Sequence, residues 1–289
     1  MKAQFKSILM VFCLMSTALF VYPQQIVKLT PSPEWSKAYP PFRIVGNLYY
    51  VGTYELTSYL IVTPKGNILI NTGLPGSENM IRSQVEKLGF KFSDIKLLLT
   101  NQVHSDHVGA MAAIKKMTGA KIMVNEQDAQ ELADGGQSDY VLTDKSFFYP
   151  PVKADVLLHE HDTIKFGRTQ IVALHHPGHT RGATSFLFDV QDGHRSYRVL
   201  IANMPSIVGD TKLSGMPTYP NVGKDFAYTL KAMKNIKFDI WLAAHASQFD
   251  LHKKHKPGDP YNPDAFRNQK GYDAALRNLN NAYLKNLSQ

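Results

Sequence analysis

Short apolar runs rich in β-branched and aromatic residues recur along this 289-residue chain, and helical segments separate them in the same order twice. Phe42 to Thr53 (FRIVGNLYYVGT) and Tyr59 to Asn71 (YLIVTPKGNILIN) read as strands, the second folded into a hairpin at Pro64-Lys65-Gly66-Asn67. Ser77 to Gly89 follows, with Met80, Ile81, Val85 and Leu88 at helical spacing and a glycine stop. Ile95 to Thr100 reads as a buried strand, Val108 to Met117 as a helix, Lys121 to Val124 as a strand and Glu126 to Ala133 as a helix. Asp134 to Asp155, with Pro150-Pro151, reads as a long irregular loop, a kind of segment used for lids and binding. Strands return between Val156 and Phe188 and at Arg198 to Ala202. The helix Lys224 to Asn235, the strand Asp239 to Ala243 and the amphipathic helix Tyr272 to Leu287 complete the order. Strands, helix, strand, helix, repeated once, predicts an α/β fold whose two similar halves face their sheets inward, a four-layer αβ/βα sandwich. No low-complexity segment or Pro/Gly/Ser linker divides the halves, so residues 23–289 are expected to form one domain.

The first 22 residues are of another kind. Met1 to Lys6 carries two lysines and no acid, and Ser7 to Tyr22 is almost wholly apolar but too short to span a membrane comfortably. This is the pattern of a signal peptide, with the cut expected between Ala18 and Gln25. The sole cysteine, Cys13, falls inside it and lacks the small-residue context of a lipid-attachment site. The mature chain is therefore expected in the periplasm, free of the membrane and monomeric. Without a thiol it relies on its core or on metal for stability. The formal charge of +8 becomes +6 once Lys2 and Lys6 are removed, and a basic surface attracts acidic small molecules. The lysines are scattered rather than interleaved with aromatics, so nucleic acid is not expected as a partner. The one basic run, Lys253-Lys254-His255-Lys256, reads as a solvated face, with His252 and His255 solvated as well.

Chemistry concentrates just after the strand Ile95 to Thr100, in NQVHSDHVGA (Asn101 to Ala110). His104, Asp106 and His107 are metal-binding types. Extended backbone projects residues i and i+2 to the same side, so Gln102 and His104 can face one point. Asp106 and His107 follow where loop turns into helix and can reach an adjacent point. Imidazole and carboxylate suit zinc, which keeps a position open for water in catalytic sites. Two further histidines stand at strand ends: His179, in the turn GHTRG after the strand TQIVAL, and His245, directly after DIWLA. Convergence of strand ends on one sheet edge is how many α/β folds build a site. His175 and His176 read as supporting residues. HEHD (His159 to Asp162) lies between strands with no turn-fixing glycine and reads as a surface connection.

PFRIVGNLYYVGT, the H-x-D-H block, HHPGHT, YRVLIANMPS and AAHASQF, in this order over most of the mature chain, resemble the metallo-β-lactamase superfamily, and within it the subclass B3 β-lactamases. The resemblance implies the metallo-β-lactamase fold, zinc as cofactor (one or two ions per chain) and a small-molecule β-lactam as substrate. It assigns Gln102, His104 and His179 to a first zinc, and Asp106, His107 and His245 to a second. Gln102 stands where most members have histidine, as in the glutamine-bearing, GOB-like branch. An amide oxygen is neutral and a weaker zinc ligand than imidazole, so the second zinc is expected to bind more tightly.

By the same resemblance, zinc brings the pKa of bound water to about 7 for attack on the lactam carbonyl, and Asp106 orients the nucleophile. Ser206, in ANMPS, and Asn203 are implied as contacts of the substrate carboxylate. Met204 falls where relatives carry serine or cysteine and cannot donate a hydrogen bond. Phe147, Phe148 and Tyr149, with Trp35, either wall the cleft or cap the core. A lactonase or a glyoxalase II-like thioester hydrolase is the alternative on this fold. Those enzymes carry a metal-bridging aspartate where this chain reads Asn203-Met204. A non-catalytic, zinc-binding exported module is the third reading, disfavoured by the retained ligands.

Overall fold

The computed structural model describes residues 32–287; the expected signal peptide lies outside them. Its first half holds β1 (Phe42–Val45), β2 (Leu48–Tyr50), β3 (Tyr59–Thr63), β4 (Gly66–Ile70), α1 (Glu78–Lys87), β5 (Ile95–Leu99), α2 (Ser105–Val108), α3 (Met111–Thr118), β6 (Lys121–Asn125), α4 (Ala129–Asp134) and β7 (Val156–Leu158). The second holds β8 (Thr163–Phe166), β9 (Thr169–His175), β10 (Thr184–Asp192), β11 (Arg195–Ala202), α5 (Val222–Met233), β12 (Ile240–Ala243), α6 (Leu251–Lys254) and α7 (Gln269–Leu287). Strands β1 to β7 form a seven-stranded sheet in sequence order, and β12-β11-β10-β9-β8 a five-stranded one. The expected α/β sandwich of two sheets flanked by helices is the fold observed.

The strands of the first sheet are apolar on both faces because both are covered. Tyr59, Ile61, Ile68, Ile70, Leu97 and Leu99 alternate into the core between the sheets, where they meet Ile171, Phe186, Phe188, Val199 and Ile201. The intervening Leu60, Leu69 and Leu98 turn the other way, onto Ile81 and Val85 of α1 and Met111 and Ile114 of α3. On the second sheet, Met233 of α5 and Tyr272 and Leu276 of α7 join the core around Trp241.

The helix expected over Val108 to Met117 is two helices, α2 and α3, broken at Gly109. A side chain at Gly109 would fall 2.2 Å from the Pro75 nitrogen, so the loop after β4 packs directly on this glycine. The helix expected at Glu126 opens as a 3-10 turn, Glu126–Asp128, in which Asn125 Oδ1 accepts from Gln127 N–H.

The basic run is not the solvated face expected. His252 stacks on Tyr54 at 3.7 Å and donates from Nε2 to the Tyr54 carbonyl, 2.8 Å away. His255 stacks on Phe42 at 3.6 Å and meets the Tyr39 hydroxyl at 3.1 Å. Lys254 buries its ammonium, without a hydrogen-bond partner, 5.1 Å from the Trp241 ring and 5.5 Å from Phe249. The α6 turn packs against an aromatic N-terminal segment, which leaves Lys253 and Lys256 of this run in solvent.

Burial brings the Lys254 pKa from 10.5 down to about 8. Between those values the unfolded chain holds a proton that the folded chain has released, so stability rises with pH across this window. Below it a charged ammonium stays buried at a cost. Lys254→Met is expected to raise the urea midpoint at pH 7 and to flatten the rise between pH 8 and 10. Urea melts of both proteins across that range check this.

Candidate metal centre

Parallel pairing of β4 with β5, and of β11 with β12, sends these strand ends to one edge. β9 runs in the same direction as β11, because each is antiparallel to β10 between them. The two sheet edges are tied by Asn101. Its Nδ2 donates to the Thr184 carbonyl at 2.9 Å, and its own carbonyl accepts from Thr184 N–H at 2.7 Å. Asn71, at the end of β4, holds Asn101 in turn. Asn71 Nδ2 donates to Asn101 Oδ1 at 2.9 Å, and Asn71 Oδ1 accepts from Asn101 N–H at 3.0 Å. Asn71 does this from a left-handed backbone (φ 62), a conformation that asparagine tolerates better than most residues. Both asparagines are fully buried.

From this anchor the chain delivers its candidate ligands. Asp106 and His107 enter on α2, which Thr72 steadies by donating from N–H and Oγ1 to the His107 carbonyl at 2.7 and 3.0 Å. Asp106 Oδ2 lies 3.2 Å from His107 Nε2 and 3.3 Å from His245 Nε2. Zinc–ligand bonds of 2.0–2.1 Å at tetrahedral angles set donors about 3.3 Å apart, so these three atoms fit one zinc. Next to them, His104 and His179 bring their ring centres within 4.8 Å. Gln102 is buried with no hydrogen-bond partner for Oε1, and His107 Nδ1 is buried without one. Buried polar atoms of this kind need a partner, and a bound cation supplies it.

The outer nitrogens of three histidines are occupied. A carboxylate only accepts, so His104 Nε2–H donates to Asp139 Oδ2 (2.9 Å), which leaves Nδ1 as its available donor atom. His179 Nδ1–H donates to the Ser206 carbonyl (2.7 Å), and His245 Nδ1 faces Glu55 Oε1 (3.6 Å), leaving both Nε2 atoms available. Paired outer nitrogens are usual for metal-bound histidine. Burial, reinforced by His104, pushes His179 down to about 3, so it stays neutral. Burial also works against charge on His245, but Asp106 and Glu55 outweigh it and hold the imidazole up to about 9. Asp106 stays well below the usual carboxylate range against burial, held there by His107 and His245. Metal-free, Asp106 and His245 therefore share a proton, and a cation takes its place on binding.

A second buried trio, His104, Glu131 and Asp139, brings donor atoms within 4.8 Å of one another. It reads as a hydrogen-bond network rather than a cation site. Asp139 Oδ1 already accepts from Val141 and Leu142 N–H at 2.6 Å each, and Oδ2 holds His104. Burial and the neighbouring carboxylates push Glu131 well above its ordinary range, which favours its neutral form.

The other expected residues find definite places. Ser206 is half-buried against His179, with Oγ 3.2 Å from Nδ1. Asn203 is buried, its N–H donating to Ser185 Oγ and its Nδ2 without a partner. Met204 packs in the core between the sheets. His176 is buried with Nδ1 2.7 Å from Ser185 Oγ, and His175 Nε2 donates to the Arg181 carbonyl, so both are supporting residues as expected. His159 and His161 of HEHD are exposed and pair with Glu126, Glu160 and Asp162. Trp35 leans on His245 at 5.8 Å, whereas Tyr149 belongs to the core and donates to the Glu131 carbonyl. Glu55, Asp139 and Glu131 carried no recognisable motif in the sequence.

The chain matches the metallo-β-lactamase superfamily over residues 53–192. Its fold superimposes on a β-lactamase from Chitinophaga pinensis with a TM-score of 0.89 at 61% identity, covering 91% of this chain and 100% of that one. A class B3 di-zinc metallo-β-lactamase from an Alaskan soil metagenome matches at 57% identity and a TM-score of 0.87, covering 89% of this chain and 98% of that one. The metallo-β-lactamase GOB-18 from Elizabethkingia meningoseptica matches at 51% and 0.87, covering 90% and 96%. Curated relatives are more distant, among them probable metallo-hydrolases and hydroxyacylglutathione hydrolases at 27–29% identity. The chain spans 42–64% of the length of these relatives. This chain belongs to the metallo-β-lactamase superfamily. Within it, the chain stands with the class B3 enzymes, on the GOB-like side.

Because Asn71 and Asn101 are mutually dependent and buried, Asn71→Ala leaves amide groups unsatisfied and puts alanine at positive φ. A loss of about 2–4 kcal/mol is expected. Urea unfolding of metal-free protein measures it.

Proposed function

We propose that this chain is an exported, zinc-dependent β-lactamase that opens the amide bond of β-lactam antibiotics with water. The observation that supports this reading is the grouping of Asp106, His107 and His245 and the pairing of His104 with His179, beside a buried, unpartnered Gln102 Oε1, in a chain 57% identical to a di-zinc class B3 enzyme. Gln102, His104 and His179 would hold one zinc, and Asp106, His107 and His245 another. Bound zinc supplies Lewis acidity and brings the pKa of water toward neutrality.

The protein groups do the positioning. Asp106 would hold zinc at the second position through Oδ2, and its other oxygen would be left to orient the attacking water. Ser206, beside His179, offers a hydroxyl to the substrate carboxylate, and the buried Nδ2 of Asn203 is a second donor on the same strand end. Trp35, against His245, would wall the cleft, and the half-buried Phe147 and Phe148 of the long loop are further candidates for that wall. No activated serine is required. The chain has no carboxylate at Asn203-Met204, where thioester hydrolases of this fold place a bridging aspartate, which disfavours that alternative. No helix among the described residues is long and apolar enough to cross a membrane. Residues 1–22 would direct export to the periplasm, the rest working as one domain and as a monomer.

Spectrophotometric hydrolysis of a penicillin, a cephalosporin and a carbapenem by zinc-loaded protein tests the activity. Turnover of at least one is expected. Normal zinc content with none turned over defeats the reading.

The two zinc positions should fill unequally. The first is built from neutral donors, including the Gln102 amide. The second has the Asp106 carboxylate, with Glu55 behind His245. Titration of metal-free protein with zinc is expected to fill the Asp106 position first. Equal affinities, or the reverse order, would overturn this.

A further inference from the structure

The first zinc position has the weaker ligand set, yet the protein around it is built with unusual care. One stretch of chain, from the start of α4 into the long loop, grips both of its histidines. Asp139 accepts the Nε2–H of His104. The next residue, Tyr140, donates its hydroxyl hydrogen to the Gly178 carbonyl at 2.9 Å, with the His179 carbonyl 3.4 Å away. Asp128 accepts from Gly182 N–H at 2.6 Å and from Thr180 Oγ1 at 2.7 Å, which ties down the turn following His179. A side chain at Gly182 would fall 2.7 Å from Asp128, so that turn lies against the acid with no space between.

Asp139 is fixed on every side. It is 6% exposed. Two backbone N–H groups, from Val141 and Leu142, hold Oδ1 at 2.6 Å each, and Oδ2 is directed at His104. Glu131, itself fully buried, packs behind the pair, with Arg181 Nη1 3.8 Å from its Oε2. A carboxylate held this way cannot turn away from His104 and cannot donate to it. The proton of His104 must therefore sit on Nε2, and the lone pair on Nδ1.

We infer that Asp139 is the positioning residue of the first zinc position, fixing the tautomer and ring orientation of His104 and so letting that position hold metal despite the Gln102 amide. The inference rests on the zinc reading above. Removing an outer-shell partner of this kind typically weakens metal binding 10- to 100-fold. The loss should be confined to one position, because no hydrogen bond or ion pair found among the described residues joins Asp139 to Asp106, His107 or His245.

The test titrates metal-free wild type and Asp139→Asn with zinc against a chromophoric chelator. The asparagine keeps an acceptor for the two backbone N–H groups but can present an NH₂ to His104, which favours the wrong tautomer. Wild type is expected to bind two zinc ions. The variant should keep the affinity of the tighter event within twofold and lose 10- to 100-fold on the weaker. Unchanged affinities, or equal weakening of both, overturn the role of Asp139. A wild type that binds no zinc overturns the functional reading instead. Should the variant not fold, the wild type still decides. In zinc-loaded protein, ¹⁵N-resolved NMR of the imidazoles is expected to show a slowly exchanging Nε2–H on His104, hydrogen-bonded in the downfield range. Its absence overturns the inference.

Discussion

The centre depends first on a buried amide stitch between the two sheets. Asn71 and Asn101 satisfy each other, and Asn101 then reaches across to Thr184 on the second sheet. That link joins the loop carrying Gln102 to His107 to the edge carrying His179, while Thr57 and Tyr59, donating to the carbonyls that end β12, tie the first half to the edge carrying His245. The stitch is polar in a setting where polar groups are costly unless paired. It therefore specifies one register of the two edges, where apolar packing alone would tolerate several.

Around the stitch, the two proposed metal positions are supported differently. The second is supported electrostatically, by Asp106 between two imidazoles and Glu55 behind one of them. The first has no charged ligand, and its support is mostly geometric: a carboxylate on one histidine, a backbone carbonyl on the other, and a clamped turn. Charge at one position and rigidity at the other are two routes to a usable donor set. They leave different signatures in the chain, acidic ligands in one case and buried acids behind neutral ligands in the other.

The sequence carried the fold because each layer has a local cause. Continuous apolar runs such as IWLA mark strands covered on both faces, and Met80, Ile81, Val85 and Leu88 mark a helix with one covered face. The candidate metal ligands were legible because they sit at strand ends in recognisable spacing. Glu55, Asp139 and Glu131 were not, because their role comes from contacts over long separations. Asp139 meets His104 across 35 residues, and Glu55 lies 190 residues before His245 in the chain. A lone acid in a loop looks the same whether it is solvated or buried against an imidazole. The basic run misled for a similar reason: its histidines stack on Tyr54 and Phe42, partners about two hundred residues away that no local pattern announces.

The long loop from Asp134 to Asp155 is moored at both ends. Asp139 and Tyr140 hold one end to the histidines, and Tyr149 holds the other to Gly135 and Glu131. Between the moorings, Thr143 to Ser146 is exposed and Phe147 and Phe148 are half-buried. Such an arrangement separates two kinds of heritable change. Substitutions or small insertions between the moorings can reshape what meets a substrate while the metal-bearing residues stay put, so new specificity need not be purchased with lost catalysis. Substitutions at Asp139 or Tyr140 reach the proposed metal position through His104 and the turn that carries His179, and selection on them follows the metal rather than the antibiotic.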